Sequence, residues 1–338
     1  MTTRTTRRSA RSARSARSAR SARSALAAAS AATFALLLGA CASGTDAGSG
    51  SGAGEVETRT VDSAFGETTI PTDPQAALGV YTTDLDMLIT LGIPLADSQP
   101  IRSQGYTTFP SFFDQKALEG IKTFENFPEY NYEEILAAKP DVILNGLGYD
   151  DELVTKLPDI APTYSFNGFD GRDWRESFAE VAKAFDKVAE HDAWTAKYQA
   201  KVDDVKARLA AAGIDPVVGP VGYGDGEVIV SCYGTPCLVF DDLGLRITPL
   251  AEGEEGTTLG TEQLEQLAGI DWVFTSTAPD EKTGELTDPF AELAGNGLWT
   301  SLPFVANQNV AVHDLEMVYG SPSGQYAFLE VVEKALLP

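Results

Sequence analysis

One long amphipathic segment near the middle of the chain constrains the fold more than any other feature. Apolar residues recur in it at spacings of three and four, while Lys and Asp occupy the opposite face, a pattern typical of an α-helix. These apolar positions are Trp194, Tyr198, Val202, Val205 and Leu209. The segment runs from Glu190 to Ala212 without Pro or Gly. We therefore predict a helix over 190–212, about 35 Å long, which is longer than one small lobe needs for its own packing.

The sequences on either side of this helix follow the same plan. N-Y-E-E-I-L-A-A-K-P-D-V-I-L (131–144) is typical of a capped short helix followed by an apolar strand, and G-T-E-Q-L-E-Q-L-A-G-I-D-W-V-F (260–274) has the same order. Each copy follows a helix that ends in Leu-Gly-Ile or Leu-Gly-Leu. We therefore predict two α/β lobes, an N-terminal lobe over 68–189 and a C-terminal lobe over 213–338, joined by the helix.

The first 40 residues have the organisation of an export signal. An arginine-rich stretch without acidic residues precedes an apolar core over 25–38, which is too short to span a membrane. L-G-A-C, ending at Cys41, resembles the bacterial lipobox, in which the cysteine becomes the first mature residue and carries a diacylglycerol. A plain signal peptide with a chance cysteine is the alternative. Residues 41–67 then form a Gly- and Ser-rich flexible tether and lead-in.

The charge of the chain limits its partners. Of the 25 basic residues, eight lie in the export signal, whereas all 49 acidic residues follow it. Such a surface repels phosphate backbones, so nucleic acid is excluded as a partner.

Two cysteines remain after the signal, Cys232 and Cys237 in S-C-Y-G-T-P-C-L. Export leads to an oxidising compartment, and the Gly-Thr-Pro sequence between them favours a turn. We expect a disulfide, because two thiols alone make half of a zinc site and no histidine is near in sequence.

Several segments together resemble a known family. They are D-L-D-M-L-I-T-L-G-I, N-Y-E-E-I-L-A-A-K-P-D-V-I-L, the Ile160-Ala161-Pro162-Thr163 step and L-W-T-S-L-P-F-V. They look like the periplasmic binding proteins, class III, that deliver ferric siderophores, haem and cobalamin to ABC importers. The resemblance implies two Rossmann-like lobes with a ligand cleft between them, bridged by one rigid helix. It also implies a monomeric, non-enzymatic protein without a cofactor, facing the outside of the cell membrane.

Within that family, the residues favour a ferric siderophore as ligand. Iron already wrapped by a chelator needs aromatic walls and a few donors rather than protein ligands. The candidates for ligand contact are Arg102, Tyr106, Phe109, Phe112, Tyr149, Arg172, Tyr233, Met317 and Tyr319. We expect the two arginines at the rim of the cleft. The aromatic residues of 101–113 have a second interpretation, a local core.

The resemblance also gives a role to the two repeated motifs. In the family, one glutamate on each lobe docks into arginine pockets of the permease dimer, and Glu133 and Glu262 occupy matching positions here. Helix N-terminal capping is the structural alternative for both.

Other functions remain open from sequence. Haem or cobalamin are alternative ligands, and His313 is the one histidine placed to ligate haem, since His191 lies in the long helix. A lipid-anchored enzyme or a surface sensor of the same fold is a different class, although the chain carries no G-x-S-x-G, Walker, H-E-x-x-H or C-x-x-C motif.

We expect Cys41→Ala to leave the protein unprocessed or released from cells, because this thiol would carry the diacyl anchor. Cell fractionation and mass spectrometry of the mature N-terminus test this. A wild-type N-terminus that is processed but carries no lipid would contradict the lipobox interpretation.

Overall fold

The computed structural model describes residues 56–253 and 256–337. The predicted signal peptide (1–40), Cys41 and most of the tether lie outside the described residues. The elements of the N-terminal half are β1 (Thr58–Ser63), β2 (Gly66–Pro71), β3 (Ala77–Gly79), α1 (Thr82–Thr90), β4 (Ser98–Arg102), β5 (Lys122–Phe127), α2 (Tyr132–Ala137), β6 (Val142–Asn145), α3 (Asp151–Lys156), β7 (Thr163–Ser165) and α4 (Trp174–Ala184). The region assigned to tether and lead-in, 41–67, thus already contains β1, which pairs antiparallel with β2.

A long helix, α5 (Val188–Ala212), connects this half to the rest. The elements that follow are β8 (Val217–Gly224), β9 (Glu227–Val230), α6 (Thr235–Leu243), β10 (Arg246–Ile247), β11 (Thr257–Gly260), β12 (Trp272–Thr277), α7 (Gly297–Thr300), α8 (Pro303–Ala306), β13 (Val310–Asp314) and α9 (Pro322–Leu336). The predicted two-lobed α/β architecture with one bridging helix is confirmed.

The sheet of the N-terminal lobe consists of short parallel strands in the order β3-β6-β7, beside the parallel pair β4-β5. Every residue of β3, β6 and β7 is buried, as expected for parallel strands covered on both faces. Gly79 ends β3 where α1 begins, and a Cβ there would lie 2.5 Å from the backbone nitrogen of Leu85. Only glycine therefore lets α1 start this close to the strand end.

The sheet of the C-terminal lobe is mixed. Its strands follow the order β11-β9-β8-β12-β13, with β10 pairing to β8. The central strands β8, β12 and β13 are parallel, whereas β9 folds back from β8 as an antiparallel hairpin. The carboxyl ends of β12 and β13 consequently meet at one edge, where Asp314 ends the last strand.

The bridging helix α5 begins at Val188, two residues before the predicted start, and ends at Gly213, whose φ of 67° is left-handed. Its buried residues are Tyr198, Val202, Val205 and Leu209, which pack on the core of the C-terminal lobe. Trp194 stacks on Tyr198 at 5.4 Å between ring centroids and also contacts the core of the N-terminal lobe. One face of α5 therefore packs on both lobes.

Helix α1 begins at Thr82 with Tyr81 as its N-cap, and the Asp84 carboxylate accepts from the Tyr81 backbone N–H. The helix predicted at the start of the second repeated motif is wrong. Glu262 lies in a turn before the 3-10 helix Leu264–Gly269, so the second motif does not repeat the α-helix of the first.

The predicted disulfide between Cys232 and Cys237 is confirmed. The two Cα atoms are 5.4 Å apart, and the bridge spans the turn that leads from β9 into α6.

A buried ion pair joins the lobes. Glu316, just after β13, is 2% exposed and enters the N-terminal lobe, where Arg102 Nε donates to its Oε1 at 2.6 Å. The Thr82 hydroxyl donates to the other carboxylate oxygen, and the Tyr81 hydroxyl donates to Oε1 at 3.4 Å while accepting from Arg102. Every polar atom of this carboxylate therefore has a partner from the opposite lobe.

A second polar zone lies where α4 meets the C-terminal lobe. Arg175 Nη1 is 3.0 Å from an Asp242 carboxylate oxygen, which also accepts from the Tyr198 hydroxyl at 2.7 Å. Trp174 Nε1 donates to the Gln325 side chain at 2.6 Å. The helix α5, this zone and Glu316 therefore all connect the two lobes.

We predict that Glu316→Gln lowers the free energy of unfolding by about 3 kcal/mol, because Arg102 would keep its charge in a buried site without a counter-charge. Chemical denaturation measures the change. The matched control is Glu152→Gln, which removes an exposed ion pair with Lys156 on α3 and should leave the free energy of unfolding unchanged. A Glu316 variant no less stable than this control would contradict the assignment.

Candidate functional site

The ends of parallel strands from both lobes lie around one cleft, as is usual for ligand sites in α/β sheets. On the N-terminal lobe, β6 and β7 are followed by the loops 146–150 and 166–173. On the C-terminal lobe, β13 is followed by the 3-10 helix Leu315–Met317 and by Tyr319. Phe169 and Tyr319 bring the two sides within 6.4 Å of each other, measured between ring centroids.

Four aromatic residues form what we call the aromatic wall: Tyr149, Phe169, Tyr233 and Tyr319. Their rings contact in sequence, edge to face, with centroid separations of 5.6 Å for Tyr149 to Phe169 and 6.5 Å for Tyr233 to Tyr319. Tyr149 is 52% exposed and Tyr233 is 56% exposed. Such exposure is unusual for large rings that each pack against another ring. The wall is a preformed apolar surface that is open to solvent.

Tyr149, Tyr233 and Tyr319 were predicted from sequence as ligand contacts, whereas Phe169 was not. It follows the end of β7 at Ser165 by four residues, as Tyr149 follows the end of β6 at Asn145. Ligand sites in open α/β sheets lie at the carboxyl ends of strands, so recognition of the short strand β7 would have identified Phe169.

Backbone hydrogen bonds hold the two aromatic loops together. The Gly148 N–H donates to the Phe166 carbonyl at 2.9 Å, and the Gly168 N–H donates to the Gly146 carbonyl at 2.8 Å. A Cβ on Gly148 would lie 2.6 Å from the Phe166 carbonyl oxygen, so the close approach of the two loops requires glycine. Tyr149 and Phe169 are thereby presented side by side.

A buried carboxyl connects the loop after β6 to the end of β3. Asp84 is fully buried and accepts from the backbone N–H groups of Tyr81, at 3.1 Å, and Gly146, at 3.0 Å. Burial raises the pKa of Asp84 to about 8, so the group holds its proton at neutral pH. It therefore positions two strand-end loops without placing a full negative charge beneath the cleft.

Arg102 lies behind the aromatic wall rather than at the rim, where the sequence placed it. It is 5% exposed, and its guanidinium carbon is 4.7 Å from the ring centroid of Tyr319 and 4.8 Å from that of Phe127. The predicted position of Arg102 at the rim of the cleft is wrong, because the side chain pairs with Glu316 and packs against these rings in the interior. In this position its guanidinium makes a cation–π contact with the Tyr319 ring.

Arg172 is exposed but bound to carboxylates of its own lobe. Its Nε is 2.7 Å from an Asp170 oxygen, and Nη1 is 3.4 Å from a Glu180 oxygen. With Tyr164 it borders a groove beside the β1–β2 hairpin. The structure does not bring it together with the aromatic wall.

Three other candidates border a cavity of about 290 Å³, which we call the loop cavity, between the segment 105–111 and β13. These are Tyr106, Phe109 and Met317. The Tyr106 hydroxyl donates to Asp314, and burial raises its pKa, which keeps it protonated. Phe109 and Phe112 also pack against a small core with Phe113, so the local-core interpretation describes both.

A second cavity, of about 210 Å³, lies over the strand ends of the C-terminal lobe, and we call it the strand-end cavity. Ser231, Tyr233, Ser276 and His313 line it, together with apolar residues of β8 and α6. Because Tyr233 also belongs to the aromatic wall, the cavity continues from the open cleft into the C-terminal lobe.

The two motif glutamates are both exposed, Glu133 in the first turn of α2 and Glu262 in the turn after β11. Next to Glu133, a groove lined by Phe127, Tyr130 and Tyr132 marks the same surface of the N-terminal lobe. Neither glutamate borders the loop cavity or the strand-end cavity.

Within the part of the chain that the structure describes, no cluster of three or more His, Cys, Asp or Glu side chains is arranged to hold a metal ion. In the same residues, no helix has both the length and the apolar character needed to cross a membrane.

The family model for periplasmic binding proteins matches residues 97–316, more than half of the chain. The chain belongs to this family. Membership assigns it a binding role rather than catalysis.

Among relatives, a probable siderophore-binding lipoprotein of Bacillus subtilis (strain 168) is 24% identical over 302 residues, covering 86% of this chain and 89% of the relative. A periplasmic solute-binding protein of Mycobacterium smegmatis is similar in fold, with a TM-score of 0.67 and 22% identity, over 82% of this chain and 97% of that one. FhuD from Vibrio cholerae, solved with Fe³⁺–Desferal bound, gives a TM-score of 0.61 and 22% identity, over 78% and 98% of the respective chains.

Proposed function

We propose that the protein is a lipid-anchored, extracytoplasmic carrier that binds a ferric siderophore in the cleft and delivers it to an ABC permease. The observation that carries the proposal is the exposed aromatic wall, built jointly by Tyr149 and Phe169 of one lobe and Tyr233 and Tyr319 of the other. A wall of this kind suits a chelated metal whose outer surface is organic, because no protein atom needs to reach the iron.

The charge of the cleft favours a neutral iron complex. None of the described residues that line the loop cavity or the strand-end cavity is Lys or Arg, and Arg102 behind the wall is neutralised by Glu316. The chain as a whole carries a formal net charge of −24. An iron bound by three hydroxamates is neutral, whereas a tris-catecholate iron complex is a trianion that this surface would repel. We therefore propose a hydroxamate siderophore as ligand.

The comparisons support the proposal through what the relatives bind. The Bacillus subtilis relative is named as a probable siderophore-binding lipoprotein, and the Vibrio cholerae protein holds iron chelated by Desferal, a trihydroxamate. The first name also supports Cys41 as the site of a lipid anchor.

The contacts between the lobes support delivery without large closure. A continuous helix with buried residues along its length is a poor hinge, and the Glu316 and Asp242 contacts both cross between the lobes. We propose that the permease recognises the spacing of Glu133 and Glu262 on a nearly rigid carrier.

We predict that purified protein binds ferric desferrioxamine B with micromolar or tighter affinity, followed by quenching of tryptophan fluorescence. Tyr319→Ala and Tyr149→Ala should each weaken binding about tenfold or more, because each removes a ring from the wall. The matched control is Tyr223→Ala, because the Tyr223 hydroxyl contacts Glu292 and the residue borders neither the strand-end cavity nor the loop cavity.

Tighter binding of a ferric catecholate than of a ferric hydroxamate would contradict the charge argument. Tight haem binding that is lost in His313→Ala would identify haem, rather than a siderophore, as the ligand.

We predict that the double variant Glu133→Ala, Glu262→Ala abolishes iron uptake by cells while leaving ligand affinity and melting temperature unchanged. Exposed charges at a docking surface act on encounter and orientation rather than on the fold. The control pair is Glu134→Ala with Glu265→Ala, one and three positions further along the same two motifs. Normal uptake by the first double variant, or equal loss in the control pair, would remove these glutamates from the docking surface.

A further inference from the structure

His313 is a buried polar residue that the wall and the lobe contacts leave unexplained. It is 2% exposed near the end of β13, and neither ring nitrogen makes a hydrogen bond of normal geometry to a described residue, although the Ala311 backbone is close enough to act on its pKa. Its ring packs edge to face on Phe328 of α9, at 4.7 Å between centroids. Buried polar groups in folded proteins are nearly always hydrogen-bonded, so a ring with two free nitrogens indicates a missing partner.

The sheet register places the His313 side chain beside the strand-end cavity. His313 pairs with Ser276 of β12, and Ala311 pairs with Phe274, so His313, Ser276 and Phe274 lie on the same face of the sheet. All three border the cavity of about 210 Å³, whose lining also includes Tyr233 of the aromatic wall. His313 borders the loop cavity as well, so it lies between the two spaces that open from the cleft.

The ring is neutral in this position. Burial lowers the pKa of His313 to about 4, so at neutral pH one nitrogen is a donor and the other an acceptor. Oδ1 of the adjacent Asp314 carboxylate accepts from the Tyr106 hydroxyl and from the Glu316 backbone N–H. A neutral ring with one donor and one acceptor, beside the Ser276 hydroxyl, matches a group that is itself neutral and both donates and accepts.

We propose that His313 and Ser276 form a subsite for the secondary amide in a siderophore arm, while the iron chelate rests on the aromatic wall. The proposal depends on the proposed function and extends it to the organic part of the ligand. Tyr233 lines both surfaces, so an arm that leaves the chelate at the wall enters the strand-end cavity directly. A secondary amide supplies the N–H and carbonyl that the ring nitrogens and the hydroxyl lack.

Two iron complexes distinguish recognition of the siderophore arm from recognition of the iron chelate. Ferric desferrioxamine B has secondary amides in the arms that link its hydroxamates and a terminal ammonium group, whereas ferric tris(acetohydroxamate) has the same iron coordination without linking arms or ammonium. We expect His313→Phe to weaken binding of the first about tenfold or more and to leave binding of the second unchanged. The phenyl ring keeps the contact with Phe328 and removes both nitrogens. We also expect this variant to melt no lower than wild type, because it replaces an unpaired buried polar group by an apolar one.

The matched control is His191→Phe, which changes the other histidine of the chain, on α5 against Phe178. It should bind both complexes as wild type does. Equal weakening of both complexes by His313→Phe, or weakening of neither, would overturn the subsite and leave the proposed function standing. Failure of the wild type to bind either complex would overturn the proposed function, and the subsite with it.

A wild-type measurement covers the case in which His313→Phe does not fold. The gallium complexes of the same two chelators are diamagnetic, and the chain has only two histidines, so the ring ¹⁵N resonances can be assigned with His191→Phe. Gallium desferrioxamine B should shift the His313 ring resonances and gallium tris(acetohydroxamate) should not. The absence of a difference between the two complexes would overturn the proposal.

Discussion

The arrangement of the cleft depends on the buried contact between Arg102 and Glu316. Burying a charge is costly unless it is paired and fully hydrogen-bonded, and here each partner comes from a different lobe. The carboxylate satisfies Thr82 at the start of α1 as well, while the guanidinium lies against Phe127 and Tyr319. One ion pair therefore joins the two lobes and also lies against a central ring of the wall. Because the pair is internally neutral, it does so without giving the cleft a charge.

The long helix and the strand Val142–Asn145 could be predicted from sequence because both depend on local patterns. Apolar spacing of three and four defines α5, and a short apolar run followed by Gly defines β6. The disulfide was predictable for the same reason, since its cysteines flank one turn.

The parts that could not be predicted depend on residues distant in sequence. Arg102 and Glu316 are 214 positions apart, and nothing near Arg102 shows that a carboxylate will draw it inward. The aromatic residues of 101–113 had two interpretations, because the sequence of a loop does not indicate whether its rings face a core or a cleft. Glu262 was placed in a helix by analogy with Glu133, although the chain after Gly260 forms a turn and a 3-10 helix instead. The roles of the cleft residues and of both glutamates remain predictions.

The paired loops after β6 and β7 have a consequence for how such a protein changes over time. Their conformation is held by hydrogen bonds between main-chain atoms of Gly146, Gly148, Phe166 and Gly168, none of which involves the side chains at 149 and 169. Replacing those two side chains therefore leaves the loop backbone in place. Descendants of this chain can acquire a preference for a differently shaped chelate by single substitutions at 149 or 169, with little risk to folding.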